Sequence, residues 1–588
     1  MPSKKARSAQ KSAERSETTT VNYWTSRRNG EVRLRKLEDA FYDRTPLTVH
    51  DMVIDTATRF TNYIALGSKY KNTWHLLTYI EYYEQCRQAA KAFLKLGLER
   101  FHGVGIMGLN SEEWAIANIG AIMAGGFSVG ILSTNTPKAC QIIAENSKMN
   151  VIVVDNDKQL QKVMQIQGYL KHLKGIVQYK EVIQSEQRNL YSWQRFLDLS
   201  HDISDERLDK IIDSQKPNQC CTLVFSLTSM GPPKAVMLSH DNITWTTAAT
   251  VQSLSFKRPP EAQETLVSYL PLSYIGSQIF DMWVAISVAG ALYFAQPDAV
   301  KGTLIDTLRE VRPTTFYGVP GIWDQMADSL KARHLGATMF RRKFDNWAMV
   351  LGLKTNLKQM FGCGKPFRDT NTKVLEGDKD GIGDICIWGR NVFMGYLNNK
   401  EATKDKIDSL GWMHTGDLGF LDADNFLHIA GNVNDIITLS SGEKINPGPI
   451  EEQVKMFIPI VHYVVLVGQD MPYLCALLTL KCQVNVETGE PRDALTEEAV
   501  DFCRNLKSHS TRLSDIINNQ DSIVMEYVDQ AIDVINREAR SESARIVKWT
   551  ILDTDFSIGA GELGVTTKVK RGIVYKMYQA EIEKFYEN

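Results

Sequence analysis

Neither sign of charge is in excess: 67 Lys and Arg stand against 69 Asp and Glu, for a formal net charge of −2. That balance supplies no global field to attract nucleic acid or an anionic membrane, so an anionic ligand has to be held by local groups, and nucleic acid is not an expected partner. Cysteine is sparse, with nine in 588 residues. They lack zinc-type or redox spacing, and only Cys220 and Cys221 lie close together, so packed, reduced thiols are expected. Met1 to Thr18 is basic and Ser-rich without an apolar centre, so it does not read as a secretory leader; a disordered tail over 1–20 is the expectation. The stretch from Trp114 to Thr134 is uncharged and long enough to cross a bilayer. Gly120, Gly125, Gly126 and Gly130 break it and Glu112-Glu113 precede it, so it reads as a buried helix, a glycine turn and a strand. A cytoplasmic protein follows, with peripheral membrane contact left open.

Apolar residues make up 43% and charged residues 23% of the chain, the balance of a globular protein. From Val49 to Phe426, amphipathic stretches such as Glu81 to Leu98 alternate with short β-branched runs such as Val151-Ile152-Val153-Val154 and Thr222-Leu223-Val224-Phe225. This order predicts an α/β domain, a large sheet layered with helices. At Gly431 the texture changes to a polar turn, Ser440-Ser441-Gly442-Glu443, then Pro447 and Pro449, then the strand-like Tyr463 to Val467. Helices around Glu497 to Leu506 and Ser522 to Ala539 complete a smaller α+β domain. The expected division is a tail over 1–20, a large domain over 21–430 and a small domain over 431–588.

Several motifs stand in a fixed order along this frame. They include Tyr23-Trp24-Thr25 with Gly30 to Arg35, Gly108 to Trp114, Gly231 to Trp245, Tyr269 to Tyr274, and Tyr317-Gly318-Val319-Pro320. Gly383-Asp384-Ile385-Cys386, Met394-Gly395-Tyr396, Gly411 to Asp417, Gly561 to Gly564 and Lys568-Val569-Lys570-Arg571 follow. Together they resemble the AMP-forming acyl-CoA synthetases, most closely the bubblegum-type long-chain branch. The resemblance implies a large adenylate-forming domain and a mobile C-terminal one. It implies fatty acid, ATP and CoA as substrates, with acyl-CoA, AMP and pyrophosphate as products and Mg2+ accompanying ATP.

By the same resemblance, Ser226, Ser229, Gly231, Lys234 and Asp417 would bind nucleotide. Asp417 would grip the ribose hydroxyls, a task suited to a carboxylate that accepts two hydrogen bonds. Lys568 would offset the charge that develops as the substrate carboxylate attacks the α-phosphate. Asn432, Asn434, Gly442 and Glu443 fall in the hinge and CoA region. No residue is assigned to the metal.

The chain also departs from the family pattern. Leu227, Thr228, Met230 and Ala235 replace Ser, Gly, Thr and Gly of a loop that needs glycines for close backbone approach to phosphate. The block with a Tyr-Gly-x-Ser-Glu segment, expected to contact adenine and magnesium, is missing near 357–364. The hinge reads Gly431-Asn432-Val433-Asn434-Asp435, without its arginine fork, and Tyr274 stands where histidine is usual. Two readings follow: a long-chain fatty acid:CoA ligase, or a catalytically impaired relative that binds acyl chains, acyl-CoA or a protein.

Overall fold

The computed structural model describes residues 22–37, 44–71, 73–184, 187–226, 233–299, 303–319, 322–323, 326, 365–377, 381–485, 490–518, 521–539, 541–564 and 568–587. The tail over 1–20 and the missing block near 357–364 lie outside these residues.

An eight-stranded sheet organises the first half of the chain. Its spatial order is Gly395–Tyr396, Ala235–Ser239, Cys220–Phe225, Phe127–Ile131, Gly103–Met107, Val151–Val154, Gly175–Gln178 and Leu190–Ser192. The six strands from Cys220–Phe225 onward pair in parallel, and the first two join antiparallel. The fully buried Val151–Val154 shows why its run is continuously apolar: a parallel strand covered on both faces has no polar side.

The uncharged stretch after Glu113 folds as read. Glu112–Met123 is a helix capped by the Ser111 hydroxyl, which accepts from Trp114 N at 3.2 Å. Gly125, at φ +77°, turns the chain into Phe127–Ile131. Gly120 lets this helix approach Tyr79–Lys95 closely, since a Cβ there would come within 2.9 Å of Ala89 Cβ and 3.2 Å of Ala90 N. Overpacking of that kind costs about 1–3 kcal/mol. No helix among the described residues is long and apolar enough to cross a membrane.

Two four-stranded sheets complete the larger part. One runs Thr265–Ser268, Ala291–Phe294, Ile64–Tyr70, Thr73–Thr78; the other is antiparallel in the order Asn371–Leu375, Gly383–Trp388, Met413–Leu421, Leu427–Asn432. Past Asn432 a single 3-10 turn, Val433–Asp435, leads to Ile437, which is buried in a separate apolar core. That core packs the sheet Val461–Val467, Leu474–Leu480, Ile546–Ile551 against Pro447–Phe457 and Ser522–Arg537. Val524, Val528, Ala531, Ile532 and Ile535 form the buried stripe of Ser522–Arg537, at helical spacing. The molecule is therefore mixed α/β with a large N-terminal and a smaller C-terminal part, as the residue pattern implied. The eight cysteines among the described residues are free and buried.

Candidate functional site

The candidate residues fall into three local constructions. The first is the base of the glycine-poor loop. Phe225 pairs with Ala235 across antiparallel strands, and one step outward Ser226 N donates to Lys234 O at 3.0 Å. Lys234 N donates back to the Ser226 hydroxyl at 3.2 Å. These bonds close the loop's mouth, so the Ser226 hydroxyl already has a structural use. Lys234 is exposed, with Nζ 5.4 Å from the centre of the Tyr396 ring. Ser229, Gly231, Leu227, Thr228 and Met230 lie outside the described residues; Ala235 is buried as the first residue of its strand.

The second construction surrounds Asp417. It lies on Met413–Leu421 opposite Asn432, the last residue of the neighbouring strand. Asn432 Nδ2 donates to Asp417 Oδ1 at 2.8 Å, and Asp417 N donates to the Thr415 hydroxyl at 3.0 Å. That hydroxyl donates to Ile385 O at 2.8 Å, which fastens the segment to the adjacent strand. Gly416, at φ +81°, permits the kink between them. Lys406 Nζ donates to the carbonyls of His414 and Thr415, both at 3.3 Å. Asn432 Oδ1 accepts from Asn434 N at 2.9 Å and from Asn434 Nδ2 at 3.0 Å. Asn432, which the resemblance places with the hinge and CoA, is thus joined directly to the nucleotide candidate Asp417, and Asn434 is joined to it through Asn432. Among the described residues, its second carboxylate oxygen receives no hydrogen bond, which leaves it open to a ligand hydroxyl.

The third construction is a hairpin in the small part. Leu563 bridges Val569, Gly564 N donates to Lys568 O at 2.8 Å, and Lys570 N donates to Glu562 O at 2.7 Å. Glu562 is buried at the base and accepts from Tyr578 at 3.3 Å and Ser557 N at 3.4 Å. Lys568 itself is exposed. Among the described residues it makes no hydrogen bond or ion pair with another candidate side chain. Gly442 and Glu443 lie on the turn between Ile437–Thr438 and Lys444–Ile445. Gly442 takes φ +84° there, and Ser541 donates to Glu443 Oε1 at 2.6 Å, holding that carboxyl below its ordinary pKa.

Two polar clusters lie outside the candidate set. His414 Nδ1 lies 2.7 Å from Asp384 Oδ2 and 3.5 Å from the Cys386 sulfur, with His414 and Cys386 opposite one another across two strands. Burial pushes the Cys386 thiol up to about 12, so it stays protonated. These groups could gather around a cation, but the short His–Asp contact already uses the nitrogen as a hydrogen-bond donor. They fasten the strand that carries Asp417. Asp384 and Cys386 stand two apart in the Gly383 to Cys386 motif, the spacing that puts two side chains on one face of a strand, and that was the available signal.

The other group is Asp281, buried in a π-helical stretch, Gln278–Trp283. The Ser268 hydroxyl donates to Asp281 Oδ2 at 2.9 Å, while Asn110 Nδ2 donates to that hydroxyl at 2.8 Å and to Leu270 O at 2.7 Å. Burial raises the Asp281 carboxyl to about 8. Asn110 thereby links two of the sequence motifs. Tyr274, just before the π-helical stretch, has a buried hydroxyl with no hydrogen-bond partner among the described residues.

A family model described as "AMP-binding enzyme" matches residues 54–360, and one described as "AMP-binding enzyme C-terminal domain" matches 434–588. Asp417 and Asn432 fall between the two matches. The chain is 42% identical to the long-chain-fatty-acid--CoA ligase ACSBG2 of Xenopus laevis, covering 97% of this chain and 88% of that protein. Human ACSBG2 is 39% identical, with 96% of each covered, and human ACSBG1 is 38% identical, with 96% and 88% covered. The first alignment runs over 649 positions against 588 residues here, so that relative carries at least 61 residues without a counterpart.

Solved structures share the fold at low identity. The anthranilate CoA ligase AuaEII with anthranoyl-AMP has a TM-score of 0.65 at 18% identity, covering 92% of this chain and 99% of that one. ATP-bound MatB from Rhodopseudomonas palustris has a TM-score of 0.64 at 15% identity, covering 91% and 99%.

Proposed function

Because the chain belongs to the AMP-binding enzymes, in the bubblegum branch of acyl-CoA synthetases, we propose that it activates long-chain fatty acids as a fatty acid:CoA ligase. The observation that carries this reading is the 38–42% identity over 96–97% of the chain to proteins named long-chain-fatty-acid--CoA ligases. ATP and CoA are the co-substrates it requires.

In the first step a carboxylate oxygen of the fatty acid attacks the α-phosphorus of ATP, and the bond to the leaving pyrophosphate breaks. In the second, the CoA sulfur attacks the acyl carbonyl, loses its proton, and AMP departs. Asp417 would accept the ribose hydroxyls on its open oxygen while Asn432 holds the other. Lys568, exposed on its hairpin, would be brought to the oxygens that gain charge in the first step. A cation delivered to such a place is worth far more than the same cation in water, because the closed site excludes the water that would screen it.

Magnesium would arrive with ATP. At the loop's mouth Ser226 and Lys234 contribute a hydroxyl and a cation but no carboxylate, so those residues do not fit a protein-held metal, and the steps above run through none. The altered loop keeps one further reading open, a relative that binds acyl chains without activating them; full-length similarity favours the ligase.

The test is ATP/pyrophosphate exchange with palmitate and Mg2+, beside palmitoyl-CoA formation and an ATP titration. Palmitate-dependent exchange and CoA-dependent thioester are expected. A folded protein that binds palmitoyl-CoA but neither binds ATP nor exchanges pyrophosphate would replace the ligase reading with the non-catalytic one.

A further inference from the structure

Arg571 is the first residue of the helix Arg571–Met577 and directly follows the base of the Lys568 hairpin, where Lys570 N is bonded to Glu562 O. Its guanidinium reaches two separate places. One nitrogen pairs closely with Glu451 of Pro447–Phe457, whose other oxygen accepts Leu466 N at 2.8 Å from a central strand of the small part. Nε lies 3.6 Å from Asp435 Oδ1. Asp435 ends the 3-10 turn through which the chain passes from one part of the molecule to the other.

The Arg571 side chain is 17% exposed and that of Glu451 only 9%. Charges so far removed from water persist only when paired, and a planar guanidinium can hold two carboxylates at fixed angles where an ammonium cannot. Arg571 NH1 is also buried and has no hydrogen-bond partner among the described residues.

We infer that Arg571 is a positioning residue that ties the interdomain turn at Asp435 to the hairpin bearing Lys568, so that rotation about the turn carries the lysine with it. This deepens the ligase reading and rests on it for the role of Lys568, while the mechanical coupling can be measured without turnover. An ion pair serving only the small part's core would need Glu451 alone. The reach to Asp435 is what a coupling role requires.

Asp435→Asn removes the charge at the turn and leaves the Arg571–Glu451 pair intact, so the full-length variant should melt within a few degrees of the parent, as expected for a half-exposed pair. Hydrogen–deuterium exchange of peptides covering 561–570 is expected to rise severalfold, with the strand Leu474–Leu480 unchanged. Adenylate formation in single turnover should fall about 10- to 100-fold with little change in the KM for ATP, since a displaced catalytic group affects the chemical step. Arg571→Lys, which keeps charge but loses the fork, should show the same pattern. Unchanged exchange of 561–570 in both variants overturns the coupling. Raised exchange with full adenylation rate overturns the positioning role. A parent without adenylation would refute the ligase reading, and the exchange measurement would still decide whether turn and hairpin are tied.

Discussion

Asp417 and Lys568 are held in opposite ways. Asp417 sits within a nine-residue strand, with Asn432 on one carboxylate oxygen, Thr415 on its amide and a glycine kink beside it. Lys568 stands exposed on a hairpin whose bonds gather at its base. A group that binds substrate gains from being in place beforehand, because no ordering cost remains at the moment of binding. A group needed in one of two steps gains from being movable. On the proposed ligase reading, nucleotide binding is built into the larger part and charge stabilisation is delivered by the smaller one.

Lys568→Ala gives the sharpest test. Adenylate formation should fall about 100- to 1000-fold, the usual consequence of deleting one donor to developing charge. ATP affinity should stay nearly constant, since the exposed Lys568 makes no hydrogen bond or ion pair with another candidate side chain among the described residues. Single-turnover adenylation beside an ATP titration separates the two. A loss below about 10-fold, or an equal loss of affinity, would break the contrast between a fixed binder and a delivered catalyst.

Asp417→Ala should do the reverse. Hydrogen bonds to a charged group are worth about 1.5–3 kcal/mol. At about 1.4 kcal/mol per tenfold, the ATP dissociation constant should rise about 10- to 100-fold, with a smaller effect on the adenylation rate at saturating ATP. An unchanged titration would remove Asp417 from the nucleotide site and make its hydrogen bonds purely structural.

Motif and periodicity made much of this legible, but only where the determinants are local. The helix after Ser111, the turn at Gly125 and the strand after it are encoded in adjacent residues, as are Gly416 and Asp417. The partnership of Asp417 with Asn432 was not legible, because it depends on pairing across two strands whose register shifts between Leu418 and Gly419. Asn432 was instead grouped with the hinge, where its chain position puts it. Arg571 and Glu451 are 120 residues apart and Asp281 is 13 from Ser268. Buried pairs of that kind are fixed by tertiary packing, and nothing in local propensity marks them. The glycine-poor loop was legible as a departure, and its described base adds that the Ser226 hydroxyl is already committed to Lys234 N.

The smallest effect is expected at Asn432, and there the sign carries the information. Asn432 Nδ2 holds one oxygen of Asp417 at 2.8 Å, so it either orients the carboxylate for the ribose or competes with the ribose for it. Asn432 Oδ1 is itself engaged by two donors from Asn434, which fixes the amide with its NH2 toward Asp417. A side chain held in this way has little freedom to move aside, and the second oxygen of Asp417 stays open; both features favour orientation over competition. Asn432→Ala should therefore weaken ATP binding about 2- to 10-fold, the worth of one half-exposed hydrogen bond of about 0.5–1.5 kcal/mol. Tighter binding in the variant would mean that Asn432 occupies an oxygen the ribose needs. Asp417 would then be a partly blocked site, and the fixed half of the comparison would no longer be preorganised for nucleotide.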